Sequence, residues 1–236
     1  RMVVLDTGRG LALYSPSPAN LDDAMVDEIM AVGQPRWLIA PNEIHNVGIR
    51  AFQRAFPDVH TTGCIGHPRR VKDVHFDALL DGSSTQQDAP WTKGDALRFH
   101  VIGGNRLLHE IAVFHAPSRT LVVTDAVECI HPREHLAGRP PNRAMTWMMG
   151  QMGFRYRVPV MSPEHHGLCV DPKALRSSLE VLMEWDFDSL VMSHGTIFEG
   201  QKARAAVMDA FGATLDAIES RSLPSRLFWR SVARLL

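Results

Sequence analysis

Side chains that can bind a metal ion or transfer protons follow three apolar stretches of the sequence, at the point where each stretch ends. The segment WLIA runs into a polar loop that contains Asn42, Glu43 and His45, and two later apolar segments lead to Asp125 and His194. Open α/β sheets place their functional sites at strand ends, so these residues converge if their strands are neighbours. Imidazole and carboxylate groups brought together from distant parts of a sequence are typical metal ligands.

Hydrolysis assisted by a divalent metal is the chemistry that such a cluster supports. Nitrogen and oxygen ligands without a thiolate suit zinc, with manganese or iron as alternatives. A metal lowers the pKa of a bound water, and the resulting hydroxide attacks an ester, thioester, amide-like or phosphoester centre of a small-molecule substrate. Asn42 or Asn46 is expected to help hold the oxyanion that forms. The predicted metal ligands are His45, Glu110, Asp125 and His194, and the predicted catalytic residues are Asp125 and Asn42.

Glu110 enters this set because it occupies an apolar strand, on the same face as Ala112 and Phe114. A carboxylate in such a strand costs several kcal/mol if it is buried without a partner. The partner is then either a metal ion or an arginine, and Arg106 and Arg119 are the candidates of the second kind.

The other candidates also have structural interpretations, which the sequence leaves open. His45 can be exposed at a helix N-terminus that Asn46 caps. Asp125 can cap the segment that follows it, and His194 can bond the backbone at a strand end. Glu43 can act as a ligand or a base, or be exposed to solvent.

Two further histidine clusters stand outside the strand ends. Adjacent histidines on an extended segment point in opposite directions, so only one of His165 and His166 is expected to reach a pocket. His131, Glu134 and His135 have helix-like spacing and can chelate a metal, although a solvated helix start is the favoured interpretation.

Hydrophobic periodicity predicts strands and helices mixed along one α/β domain, with sheets covered by helices. The predicted strands span residues 2–5, 11–14, 37–40, 59–65, 76–80, 96–102, 107–115, 120–124 and 189–192. The predicted helices span residues 21–32 with Asn20 as N-cap, 47–56, 143–152, 172–185 and 201–219. A last amphipathic helix over residues 223–236 is expected to pack on the domain or on a second copy, which leaves a homo-oligomer open.

The composition narrows the class of protein. The chain has 236 residues, 45% of them hydrophobic and 22% charged, which is typical of a soluble globular protein. A net charge of −1 gives no electrostatic case for a nucleic-acid or anionic-membrane partner. The start lacks the apolar run of a signal peptide, and no stretch reaches the ~20 apolar residues of a membrane span. Three separated cysteines without a CxxC pair favour a reducing, cytoplasmic location.

Five segments carry a resemblance to the metallo-β-lactamase fold superfamily, and more closely to its DUF4336-type subgroup. They are LALYSPSPANLDD, RWLIAPNEIH, AFPDVHTTG, HEIAVFHAPSRTLVVTDAVE and EWDFDSLVMSHG, which together cover most of residues 3–200. The resemblance implies a four-layer αββα sandwich over residues 1–222 with a metal site at one edge. By position, Asp125 corresponds to the metal-bridging aspartate of the superfamily and His194 to its last histidine ligand.

The first metal-binding motif of the superfamily, His-x-His-x-Asp-His, is altered in this chain. Laid without a gap, it falls on Pro41, Glu43, His45 and Asn46. The histidine that normally precedes the hairpin has no clear counterpart; Arg106 lies near its place, with His109 and Glu110 just beyond. Four nitrogen and oxygen ligands suffice for one metal ion but not comfortably for two, so one divalent metal is expected. The altered motif also favours an alternative function, a non-catalytic scaffold of this fold that binds a ligand or partner.

Overall fold

The computed structural model describes residues 1–17, 21–105, 107–131, 142–143, 146–147, 150 and 155–220, and its strands form two five-stranded sheets. The first sheet contains β1 to β5 in sequence order, and β1 is antiparallel to β2 while the others run parallel. Its strands are β1 (Val3–Asp6), β2 (Leu11–Tyr14), β3 (Pro35–Ile39), β4 (His60–Cys64) and β5 (Ala78–Leu80).

The second sheet has the spatial order β10-β9-β8-β7-β6, and only the β8–β9 pair is parallel. Its strands are β6 (Leu97–Ile102), β7 (Glu110–His115), β8 (Thr120–Val123), β9 (Ser189–Met192) and β10 (Phe198–Glu199). The described α-helices are α1 (Asp23–Val32), α2 (Ile49–Ala55), α3 (His67–Arg70), α4 (Pro163–Leu168), α5 (Pro172–Glu184) and α6 (Gln201–Glu219). Two short 3₁₀ helices, Gln86–Asp88 and Pro90–Thr92, precede β6. No helix in this described part of the chain is both long and apolar enough to span a bilayer.

Successive side chains along each strand point to opposite faces of its sheet, and they contribute to three separate apolar layers. In β2, Ala12 and Tyr14 pack between the two sheets, whereas Leu11 and Leu13 pack against α1 and α2. The second sheet divides in the same way. Ile111 and Val113 face the first sheet, and the opposite face of the sheet packs on α5 and α6. The predicted four-layer αββα sandwich is therefore confirmed.

The predicted elements that fall within the described residues agree with the structure except near their ends. Helix α1 begins at Asp23 because the side chain of Asp22 accepts the N–H of Met25 at 2.9 Å and so acts as the N-cap. The predicted cap Asn20 lies outside the described residues. Strand β7 begins at Glu110 instead of residue 107 because Asn105 Oδ1 accepts the N–H groups of residues 107 and 108 in a turn. The predicted C-terminal helix over 223–236 and most of the predicted helix over 143–152 also lie outside the described residues.

Glu110, the first residue of β7, joins several segments around its fully buried carboxylate. Oε1 accepts the backbone N–H of Thr124 at 2.7 Å, and Oε2 accepts those of Asp125 and Ala126 at 2.9 and 3.0 Å. His165 Nε2 lies 3.0 Å from Oε2, and Asn42 Nδ2 lies 3.3 Å from it. The carboxylate therefore fixes the chain that follows β8 to the loop that follows β3.

The burial of this charge is compensated by its donors. Desolvation acts to raise the pKa of Glu110, but the hydrogen bond and charge of His165 outweigh it, so that the pKa is lowered. The pKa of His165 is raised, because the hydrogen bond and charge of Glu110 outweigh the desolvation that would lower it. The two side chains form a buried ion pair supported by backbone N–H groups.

Replacing Glu110 by Gln is expected to lower the free energy of unfolding by about 3–5 kcal/mol, because it removes one partner of a buried ion pair and turns an amide towards backbone donors. The measurement is urea denaturation. The matched control is Glu180→Gln on the exposed side of α5, which should change the free energy by less than about 0.5 kcal/mol. A Glu110→Gln variant as stable as the control would show that the charge of the carboxylate does not support the fold.

Candidate metal centre

His45, Asp125 and His194 converge at one edge of the sandwich. Strands β8 and β9 are parallel and pair Val123 with Met192, so the residues two positions further on, Asp125 and His194, leave the same edge together. His45 comes from the loop after β3 in the other sheet. The sequence-based prediction that these strand ends meet is confirmed.

The three side chains direct their ligand atoms towards one another. His45 Nε2 lies 3.2 Å from Asp125 Oδ1 and 3.2 Å from His194 Nε2, and His194 Nε2 lies 3.9 Å from Asp125 Oδ1. Two ligand atoms bound at ~2.1 Å to a tetrahedral zinc ion are ~3.4 Å apart, so the spacing and the donor types fit a divalent metal. Within the described ranges, this is the one group of three histidine, cysteine or acidic residues whose ligand atoms all lie within 4.8 Å of one another.

Asp125 supplies a buried negative charge to the centre. Its side chain is 3% exposed, and its Oδ2 accepts a hydrogen bond of 2.7 Å from Asn42 Nδ2. Burial acts to raise the pKa of Asp125, but the hydrogen bond and charge of His45 outweigh it and lower the pKa to about 2. Asp125 is therefore ionised at neutral pH, as a metal ligand must be.

His45 is held by partners on both nitrogens of its ring. Nδ1 lies 2.9 Å from Ser15 Oγ, while Nε2 faces Asp125, and the backbone N–H of His45 donates to Asn42 Oδ1 at 2.9 Å. Burial acts to lower the pKa of His45, but the hydrogen bond and charge of Asp125 outweigh it, so that the pKa is raised.

His194 marks the open side of the centre. Its side chain is 45% exposed, compared with 14% for His45 and 3% for Asp125. Burial lowers the pKa of His194, against the opposing charge of Asp125. Among the three ligands, His194 is therefore the one most accessible to solvent.

Asn42, predicted as a catalytic residue, is buried, and its amide contacts groups of the protein. Nδ2 lies within hydrogen-bonding distance of Asp125, Thr124 and Glu110, and Oδ1 accepts the N–H groups of Ile44 and His45. The structure thus places Asn42 as the link between the His45 loop and Asp125. Its role towards an oxyanion stays a prediction.

Glu110, predicted as a ligand, is close to the centre but is not part of the group of three. Its two oxygens are directed at backbone N–H groups, Asn42 and His165. Of the two predicted arginine partners, Arg119 pairs with Asp186 and Asp188 instead, and Arg106 lies outside the described residues. The cation observed beside Glu110 is His165. Its position at the buried end of β7 makes Glu110 a support for Asp125.

Glu43 and His109 form a second pair beside the centre. Glu43 is buried, with Oε1 2.7 Å from His109 Nδ1 and Oε2 accepting the N–H of His109 at 2.8 Å. Burial acts to raise the pKa of Glu43, but the hydrogen bond and charge of His109 outweigh it and lower the pKa. The solvent-exposed alternative for Glu43 is therefore wrong.

Two acid–base residues near the centre were missed or misread from sequence. His165 lies on helix α4, not on an extended segment, because Ser162 caps the helix and Pro163 occupies its first turn. Glu128 is buried beside Asp125; burial, then the charge and hydrogen bond of Asp125, raise its pKa well above the usual value. The sequence SPEHH, with a capping serine before a proline, was the available signal for the start of α4. No sequence motif identifies Glu128 as a residue near the centre.

The remaining candidate cluster is only partly visible. His131 Nε2 lies 2.9 Å from a terminal guanidinium nitrogen of Arg157. Glu134 and His135 lie outside the described residues.

No protein-family profile matches the sequence, and no curated protein is significantly similar to it. Solved structures are similar in fold. DIM-1 metallo-β-lactamase superposes with a TM-score of 0.58 at 12% identity, covering 94% of this chain and 87% of its own. A metallo-β-lactamase from Hirschia baltica superposes with a TM-score of 0.54 at 14% identity, and the match covers 90% of this chain and 84% of that protein. The metallo-β-lactamase FIM-1 from Pseudomonas aeruginosa, in a mono-zinc form, superposes with a TM-score of 0.55 at 14% identity, and the match covers 94% of this chain and 84% of that protein. At these identities the likeness establishes the fold: the chain has the metallo-β-lactamase fold.

Proposed function

We propose that this protein is a metal-dependent hydrolase that resembles the DUF4336-type subgroup and has an altered metal-binding motif. We further propose that it binds one divalent metal ion, with zinc as the favoured metal, through His45, Asp125 and His194. The observation that carries the proposal is the convergence of these three ligand atoms from three strand ends. The metallo-β-lactamase fold of the chain and the mono-zinc form of one structural neighbour are consistent with it.

A divalent metal bound there would supply Lewis acidity and a water of lowered pKa for attack on an ester, thioester, amide-like or phosphoester bond. The chain itself supplies the charge and the orientation. Asp125 is ionised, its Oδ2 is held by Asn42, and its Oδ1 faces the two histidines of the centre. His194 borders solvent, and we propose that a small-molecule substrate reaches the centre from this exposed side. None of the three described cysteines forms a disulfide, which is compatible with a reducing compartment such as the cytoplasm.

The alternative is a binding protein of this fold without hydrolytic activity. It is favoured by the use of Glu43 and Glu110 in internal hydrogen bonds, which leaves three ligands in the centre where we expected four. Metal binding and turnover are separate measurements, and together they distinguish the two functions.

Metal-free wild-type protein, titrated with Zn²⁺ against a chelating dye, is expected to take up one tight equivalent. The His194→Ala variant should bind more than about 100-fold more weakly, because loss of an outer hydrogen-bond partner of a ligand already costs about 10–100-fold. His75→Ala is the control, since that side chain is 81% exposed and pairs with Asp77. Two tight equivalents would contradict the single-metal proposal, and no binding at micromolar Zn²⁺ would contradict the hydrolase.

Hydrolysis is expected from the zinc-loaded protein in a panel of ester, thioester, lactam and phosphodiester substrates. Asp125→Asn keeps the shape of the side chain but removes its charge, and should lower kcat/KM more than about 100-fold. Asp186→Asn is the control, because Asp186 is exposed and paired with Arg119. Dialysis against a chelator should abolish the activity and added Zn²⁺ restore it. Stoichiometric zinc without turnover of any substrate would favour the binding protein.

A further inference from the structure

Ser15 follows β2 and contacts the ring of His45 from the side opposite the candidate metal centre. Its Oγ lies 2.9 Å from His45 Nδ1, while Nε2 of the same ring lies 3.2 Å from Asp125 Oδ1. The two ring nitrogens therefore have separate partners. A histidine held at Nδ1 in this way presents Nε2 in one fixed direction.

The backbone of Ser15 is in a conformation that serine rarely adopts. Its φ is +56°, in the left-handed region, and the residue is 3% exposed. Its N–H donates to the carbonyl of Ile39 at 2.9 Å, which ties the position to β3. Glycine would occupy this conformation without strain, whereas any residue with a Cβ costs free energy there. What serine adds over glycine is a hydroxyl, and the partner of that hydroxyl is His45.

We propose that Ser15 is a positioning residue for metal binding, whose hydroxyl accepts the Nδ1–H of His45 and directs the lone pair of Nε2 into the centre. This inference rests on the proposed metal-dependent function. A hydroxyl can both donate and accept a hydrogen bond. In the metal-free protein, the Ser15 hydroxyl can donate to Nδ1 while the Nε2–H of His45 faces Asp125. In the metal-bound protein, where Nε2 is a ligand, the same hydroxyl can accept from Nδ1–H. The ring then keeps one orientation in both states.

Ser15, His45 and Asp125 also have the composition of a nucleophilic triad. A nucleophile must reach the substrate, but Ser15 is buried and lies on the far side of the ring from the open face at His194. The geometry therefore assigns Ser15 to orientation of the ligand and not to attack on a substrate.

The test compares three variants of the full chain, with zinc affinity and the melting temperature of the metal-free protein as separate readouts. Ser15→Ala and Ser15→Gly both lose the hydroxyl and should bind Zn²⁺ about 10–100-fold more weakly than wild type. Ser15→Gly should melt at a higher temperature than Ser15→Ala, because glycine relieves the strain at positive φ. Ser15→Thr keeps the hydroxyl and should retain zinc affinity within about 3-fold at a lower melting temperature, because a β-branched residue is strained there.

Ser118→Ala is the matched control. Ser118 Oγ lies 2.6 Å from Nδ1 of His115, so the variant deletes the same kind of serine–histidine contact at an exposed hairpin. It should leave zinc affinity unchanged. In the zinc-loaded wild type, NMR should detect a protected Nδ1–H on the His45 ring, and this signal should be lost in Ser15→Ala.

Three results would overturn the proposal. The first is tight zinc binding by the wild type with Ser15→Ala and Ser15→Gly affinities within about 3-fold of the wild-type value. This result would remove the present inference but leave the proposed function in place. The second is zinc affinity that follows the melting temperature across the variants, as a purely structural role requires. The third is covalent labelling of Ser15 by a fluorophosphonate in the metal-free protein, which would make the serine a nucleophile. A wild type that binds no zinc overturns the proposed function together with this inference.

Discussion

A single buried carboxylate determines how the two sheets meet at the candidate metal centre. Glu110 starts β7 in the second sheet and accepts hydrogen bonds from three successive backbone N–H groups beyond β8. An ionised carboxylate can stay in such an interior only when its donors replace water, and here His165 adds the compensating positive charge. The backbone of Asp125 is one of those donors, so the position of the ligand follows from the need to satisfy Glu110.

The same requirement extends across the sheet interface. Asn42 contacts both Glu110 and Asp125, and the neighbouring Pro41 carbonyl accepts the N–H of Ile111 at 2.8 Å. The loop after β3 is thereby fixed to the second sheet before His45 is reached. The positions of the candidate ligands thus depend on a buried hydrogen-bond network that links Glu110, Asn42 and Asp125.

Much of this arrangement could be predicted from sequence, because it follows from local rules. The strands predicted over 120–124 and 189–192 agree with β8 and β9 to within one residue, and their ends at Asp125 and His194 indicate that these two side chains converge. Glu110 shows where such reasoning stops. The strand pattern indicated that Glu110 needs a partner if it is buried, but that partner, His165, lies 55 residues away on a helix that the extended-segment interpretation overlooked. A sequence pattern registers the cost of burying a charge but does not identify the distant group that compensates it.

The contacts of the centre link parts of the chain that are far apart in sequence. His45 is 80 residues from Asp125 and 149 residues from His194. Contacts of such long range are slow to form during folding, because the closure of large loops must precede them. We therefore expect the three ligands to come together late in folding, when the two sheets dock. A metal that binds this set would stabilise the complete sandwich over every partly folded state, and its uptake during refolding would mark the final step of assembly.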